Sequence, residues 1–175
     1  MIHTMALFLI LFFNAWFAHS DQMTQRRHGE SLFFDYCSGC HTLRYVSHSQ
    51  LAMPEVEANR WFGKVPPDLS LTARVHGAQW LATYLTGFYP DTHQPFGVNN
   101  RLIPGVSMPN VLAPLQDKTL NALNQQTYQQ AIDDIVIFLV YAAEPTKSIR
   151  YQIGVGVIIF LGVFFTLCRL VFVKK

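Results

Sequence analysis

Apolar and polar positions divide the 175-residue chain into three stretches with different rhythms. Met5 to Phe13 is a run of nine apolar residues, and Ile153 to Val173 is a second run broken by one charge, Arg169. Between them the spacing turns helical. Leu32, Phe33 and Tyr36 predict a helix from about Gly29 into a cysteine pair, and Trp80, Leu81, Tyr84 and Leu85 share one face of a helix over 78–88. Ile132, Ile135, Val136, Leu139 and Val140 form the apolar stripe of a third, over 127–143, with Thr127 and Gln130 as its capping box and Pro145 beyond its end. No stretch alternates convincingly with the period of a strand, so the expected class is all-α.

The two apolar runs differ in reach. At about 1.5 Å per residue, nine residues fall short of a bilayer, whereas the 21 from Ile153 to Val173 extend roughly 31 Å, the thickness of a hydrocarbon core. The first is read as the centre of a signal peptide over 1–20, with Ala18-His19-Ser20 as the cleavage region, although His3 stands where Lys or Arg is usual. The second is read as a single transmembrane anchor over 151–175, with Arg169 placed to snorkel toward the headgroups beside Lys174 and Lys175. Residues 21–150 are then an exported, periplasmic domain on an inner-membrane anchor with a short cytoplasmic stub. The export signal sets that orientation, because Lys147 and Arg150 weaken the charge contrast across the anchor. Cys168, within the anchor, is read as a small apolar residue.

Composition narrows the function. With 50% hydrophobic and 14% charged residues, the chain is not a disordered tail. Thirteen Lys and Arg, three of them at the extreme C-terminus, face eleven Asp and Glu, which leaves the exported domain at −1. A nucleic-acid reading built on a basic face is thereby excluded.

Setting Cys168 aside, both remaining cysteines lie in Cys37-Ser38-Gly39-Cys40-His41. C-x-x-C-H is the attachment spacing of a c-type haem: two thiols on one turn can each add to a haem vinyl group, which brings the adjacent histidine beneath the iron. A thioredoxin-like redox pair would need a βαβ context, and a zinc site two further ligands at short spacing. A sixth iron ligand is sought among Met and His. Met108 stands out, in Ile103-Pro104-Gly105-Val106-Ser107-Met108-Pro109, where Pro and Gly set up a rigid loop able to aim a side chain. Met23 and Met53 are rivals, as are His28, His48, His76 and His93 in polar runs.

These motifs together resemble the cytochrome c1 family, the haem subunit of the quinol:cytochrome c oxidoreductase (bc1) complex, in its proteobacterial form. The resemblance rests on CSGCHTLRYVS (37–47), WFGKVPPDLSLTARVHG (61–77), TGFYPDTHQPFGVNN (86–100), MPNVL (108–112) and YAAEP (141–145) ahead of the anchor. It implies a class I cytochrome c domain with one haem c attached covalently at Cys37 and Cys40, and with His41 and Met108 as axial ligands. The PPDLS segment, with Pro67, would pack along the haem. Two departures stand out. The stretch between Tyr45 and Trp61 is short, and Arg74-Val75-His76 replaces the Arg-x-Arg common in the family, which puts Arg74 and His76 near the haem with His76 as a substitute beside a propionate.

The resemblance further implies an electron carrier with no catalytic residue of its own, working in a dimeric complex. It would take electrons from the Rieske iron-sulfur protein beside cytochrome b and pass them to a cytochrome c. Three alternatives remain open at this stage: a free-standing tethered shuttle, a haem enzyme or gas sensor with an open sixth site, and a haemless assembly subunit. The shuttle needs a long flexible linker, which residues 144–151 do not supply.

Overall fold

The computed structural model describes residues 22–46, 53–116 and 124–173, with the backbone alone for 124–127 and 173. The signal-peptide segment 1–20 and His48 lie outside the described residues. In order, the elements are α1 (22–36), α2 (Glu55–Phe62), α3 (Thr72–His76), α4 (Ala78–Thr86), β1 (Phe88–Pro90), β2 (Val98–Asn100), α5 (Ala113–Gln116), α6 (Asn124–Ala143) and α7 (Lys147–Val173).

The core lies where the apolar stripes meet. α1 buries Gly29, Leu32, Phe33 and, just past its end, Cys37, a stripe at helical spacing. α6 buries Ala131, Ile132, Ile135, Phe138, Leu139 and Ala142. Leu43, Ala73, Leu81, Leu85 and Leu112 complete the same cluster, with Tyr36, Leu69, Trp80, Tyr84 and Val111 packed against it. Each large aliphatic or aromatic side chain so enclosed stabilises the domain by about 1.5–3 kcal/mol over exposure. α1 comes close to α6 at Gly29, where a Cβ would overlap the carbonyl of Asp134. The His28 Nδ1 lies 2.6 Å from Asp134 Oδ2, Gln130 Nε2 donates to Asp134 Oδ1 at 3.1 Å, and the Arg26 guanidinium sits 4.0 Å above the Tyr141 ring.

Several elements depart from the sequence reading. The first helix already runs at residue 22, and α6 begins at Asn124, so Thr127 lies within the helix and not at its cap; the side chain of Thr127 lies outside those described. α4 ends at Thr86, two residues early. An added Cβ at Gly87 would meet the Thr83 carbonyl and the Asn100 amide, and the Gly87 N–H turns back to Tyr84 O at 3.1 Å. The absence of strands is corrected by an antiparallel pair, β1 with β2, in the register Phe88↔Asn100, Tyr89↔Asn99 and Pro90↔Val98. Its turn is held by polar bonds that no apolar pattern reports: Asp91 N–H to Gly97 O at 2.9 Å, and Asn99 Nδ2 to Asp91 Oδ2 at 3.0 Å. α2 is also new, closed by Gly63 at φ +70° with its N–H on Asn59 O.

Residues through Ala143 form one compact unit and those from Glu144 another. In the second, α7 is 27 residues long, about 40 Å, and its most apolar 18-residue stretch has a mean hydropathy of 2.5. Near its start, Arg150 donates to Glu144 Oε1 at 3.2 Å, with Lys147 Nζ 3.8 Å from Oε2.

Candidate functional site

The C-x-x-C-H residues continue α1 by one further turn. Cys37 N–H donates to Phe33 O at 2.8 Å, and the N–H groups of Cys40 and His41 both return to Cys37 O, at 3.1 and 2.9 Å. Both thiols are free; Cys37 is buried and Cys40 partly exposed. The Cys37 thiol is pushed up to about 12, first by burial and then by the neighbouring Cys40, while burial also raises Cys40.

His41 is oriented by the chain 26 residues further on. Its Nδ1 lies 2.8 Å from the carbonyl oxygen of Pro67, which can only accept, so the proton is on Nδ1 and the Nε2 lone pair is left free for a ligand. Burial lowers the imidazole's pKa, against the Pro67 hydrogen bond and the charge of Asp68, and this favours the neutral, ligating form. Pro67 is itself held in place because Pro66 and Pro67 have fixed φ and because Asp68 is clamped. The Asp68 carboxylate accepts from Thr42 Oγ1 at 2.6 Å, Arg44 N–H at 2.9 Å and Ser70 N–H at 3.0 Å. The loop after His41 and the proline segment are therefore one unit, with Leu69 N–H on Thr42 O at 2.9 Å as a further link.

Met108 is partly buried and meets α4: the Tyr84 hydroxyl donates to its Sδ at 3.6 Å. Burial raises the Tyr84 pKa, so the hydroxyl keeps its proton and acts as the donor. The preceding loop is fixed by a pair of asparagines. Asn99 Oδ1 accepts from Gly105 N–H at 2.9 Å, and Asn100 Oδ1 accepts from Leu102 N–H at 2.9 Å. Two residues past Met108, Asn110 Oδ1 is buried without a hydrogen-bond partner, the signature of a polar group whose partner is a bound molecule or water.

Three of the rival histidines have partners of their own among the described residues. His28 pairs with Asp134, His93 with Asp91 at 3.3 Å, and the His76 ring stacks on Trp80 at 4.1 Å. His76 and Arg74 are both exposed on α3, and Met53 lies just before α2. Sequence reasoning missed Tyr84 as a polar partner, together with Asp68, Asn99 and Asn100. Tyr84 was legible only as part of an apolar face, and the other three carry no local pattern.

Two free thiols on one turn, an imidazole with a free Nε2, a methionine sulfur held by Tyr84 and a buried amide oxygen without a partner suit a haem better than a bare metal ion. Followed by an apolar helix long enough to cross a membrane, they define the class: a membrane-anchored c-type cytochrome. Residues 55–175 match the Cytochrome C1 family. A cytochrome c1 of Allochromatium vinosum is 34% identical, over 86% of this chain and 82% of its own. The ammonia monooxygenase gamma subunit of Nitrosomonas europaea is 32% identical over 76% and 74%, and a cytochrome c1 of Rhodospirillum rubrum 25% over 84% and 78%. The chain belongs to the cytochrome c1 family. Its role is that of an electron carrier with a c-type haem in the bc1 complex, anchored in the membrane by a C-terminal span.

Proposed function

We propose that this chain binds one haem c, through thioethers to Cys37 and Cys40 and with His41 and Met108 as axial ligands. It accepts one electron at a time from the Rieske iron-sulfur protein and passes it to a cytochrome c, beside cytochrome b in a dimeric complex. The haem supplies the ferric/ferrous couple; the chain supplies attachment, two ligands and a fixed frame. The observation that carries this reading is the His41 Nδ1 contact with Pro67 O, because it presents Nε2 as a ligand one residue after the cysteine pair. Pro67 and Arg74 belong to the haem surroundings by the family's pattern; His76 departs from that pattern, standing where an arginine is common, and its stack on Trp80, one turn before Tyr84, supports a place near the haem for it too. A filled coordination sphere leaves no site for bond-making chemistry, so the chain alone is no enzyme. Residues 1–20 act as the signal peptide and 21–150 as the periplasmic domain. The connection between α6 and α7, only residues 144–146, supports a subunit held in a complex over a swinging shuttle.

The test is Met108→Leu in the full chain. The variant keeps haem through denaturation, since both thioethers remain, but its reduction potential drops and its ferrous form binds carbon monoxide rapidly. Equal potentials in variant and wild type remove Met108 as ligand. Rapid carbon monoxide binding by the wild type points instead to a sensor or haem enzyme. Purification from detergent-solubilised membranes should bring cytochrome b and an iron-sulfur subunit along. Recovery with a monooxygenase and no cytochrome b would replace the partner assignment.

A further inference from the structure

We infer that Tyr84 is a positioning residue for the distal ligand, its hydroxyl donating to the Met108 sulfur so as to raise the reduction potential. The inference rests on Met108 being that ligand. The 3.6 Å contact between Tyr84 Oη and Met108 Sδ joins two parts of the fold that are separately immobilised. On one side the Tyr84 ring is stacked parallel to Trp80, 5.4 Å between centroids at 4°, and Phe88 closes its other flank edge-on at 5.6 Å. On the other side the loop leading to Met108 is held by Asn99 and Asn100.

One fully buried side chain ties the two sides together. Asn100 Nδ2 donates to the backbone carbonyl of Tyr84 at 2.7 Å, while its Oδ1 accepts from Leu102 N–H at 2.9 Å and Ile103 N–H at 3.4 Å. The spacing between donor and sulfur is therefore set by a buried network and not left to two flexible side chains. The electronic effect has a definite sign. A donor on the thioether withdraws density from the sulfur, ferric iron draws on that density more than ferrous iron does, and so the hydrogen bond favours the reduced state.

The experiment uses the full haem-loaded chain in detergent, as wild type, Tyr84→Phe, Met108→His and the double variant. Redox titration gives the potential, and the near-red charge-transfer absorption of the ferric form reports sulfur on iron. Tyr84→Phe should lower the potential, shifting the ferrous:ferric ratio at fixed poise by up to about ten-fold, because the net worth of one neutral hydrogen bond bounds the difference between the two oxidation states. It should also retain the sulfur band. With the sulfur gone, in the Met108→His background, the same change should leave the potential where it was. An unchanged potential in Tyr84→Phe, or an equal shift in both backgrounds, overturns the inference while leaving Met108 as ligand. A sulfur band that survives Met108→His overturns the ligand assignment, and the inference with it. Should Tyr84→Phe fail to take up haem, incorporation of 3-fluorotyrosine, a stronger donor of nearly the same shape, is to raise the potential; no rise overturns the inference.

Discussion

Asp68 joins two segments that sequence places 24–26 residues apart, and its chemistry makes that joint sensitive to acid. Burial alone would raise its carboxyl, but the hydrogen bonds from Thr42 and Ser70 and from the backbone N–H groups of Arg44 and Ser70 outweigh burial and hold it below the ordinary carboxylate value. A folded-state pKa below the unfolded one means that the stabilisation is complete above the unfolded value and disappears as pH falls through the folded one. Asp68→Asn should cost about 1–3 kcal/mol in urea unfolding at pH 7, and the gap to wild type should narrow between about pH 5 and pH 2. A gap that stays constant with pH would mean that the carboxylate charge is not what holds the clamp. At this scale Cys37, Cys40 and His41 were open to proposal from the sequence because their motif is a local spacing, and Met108 because Pro and Gly mark its loop. Asp68, Asn99 and Asn100 were not, because each acts through partners that only the folded chain brings near.

Helices with long apolar stripes were read correctly in kind, and their ends were not. α6 is unmistakable from Ile132, Ile135 and Leu139, yet it starts three residues ahead of its supposed capping box, since a first turn of polar residues has no stripe to mark it. The β1–β2 pair escaped because three residues a side are too few to show alternation, and because Asp91 and Asn99 hold the turn. The crossing of α1 over α6 was equally hidden: it depends on Gly29 lacking a side chain. Gly29→Ala must push α1 away from the Asp134 carbonyl and disturb the His28–Asp134 pair. The expected cost is about 1–3 kcal/mol, despite alanine's better helix propensity. Thermal unfolding of the haem-loaded protein measures it, and a melting temperature equal to or above wild type would show that the helices separate freely.

For the molecule as a whole, the terminal apolar run was the plainest feature of the sequence, and α7 carries it as an uninterrupted helix. A chain ending at Arg150 should be exported, take up haem and fractionate with soluble proteins. Retention on membranes in high salt would show a second attachment. The −1 charge of residues 21–150 predicts a weak dependence of turnover on salt with an added basic cytochrome c, because a small net field steers little. A steep fall with salt would reveal an acidic patch that the balanced total conceals.

The contact between His41 and the Pro67 carbonyl also bears on speed. An electron jumps faster than nuclei can follow, so the barrier to a jump is set by how far atoms must be rearranged beforehand to suit both oxidation states. A carbonyl in a Pro66-Pro67 backbone, braced by the three hydrogen bonds on Asp68, has little room to shift, and the imidazole bonded to it keeps one orientation through the cycle. With haem iron on His41, the stiffness of two prolines and a carboxylate would lower the reorganisation energy of each transfer.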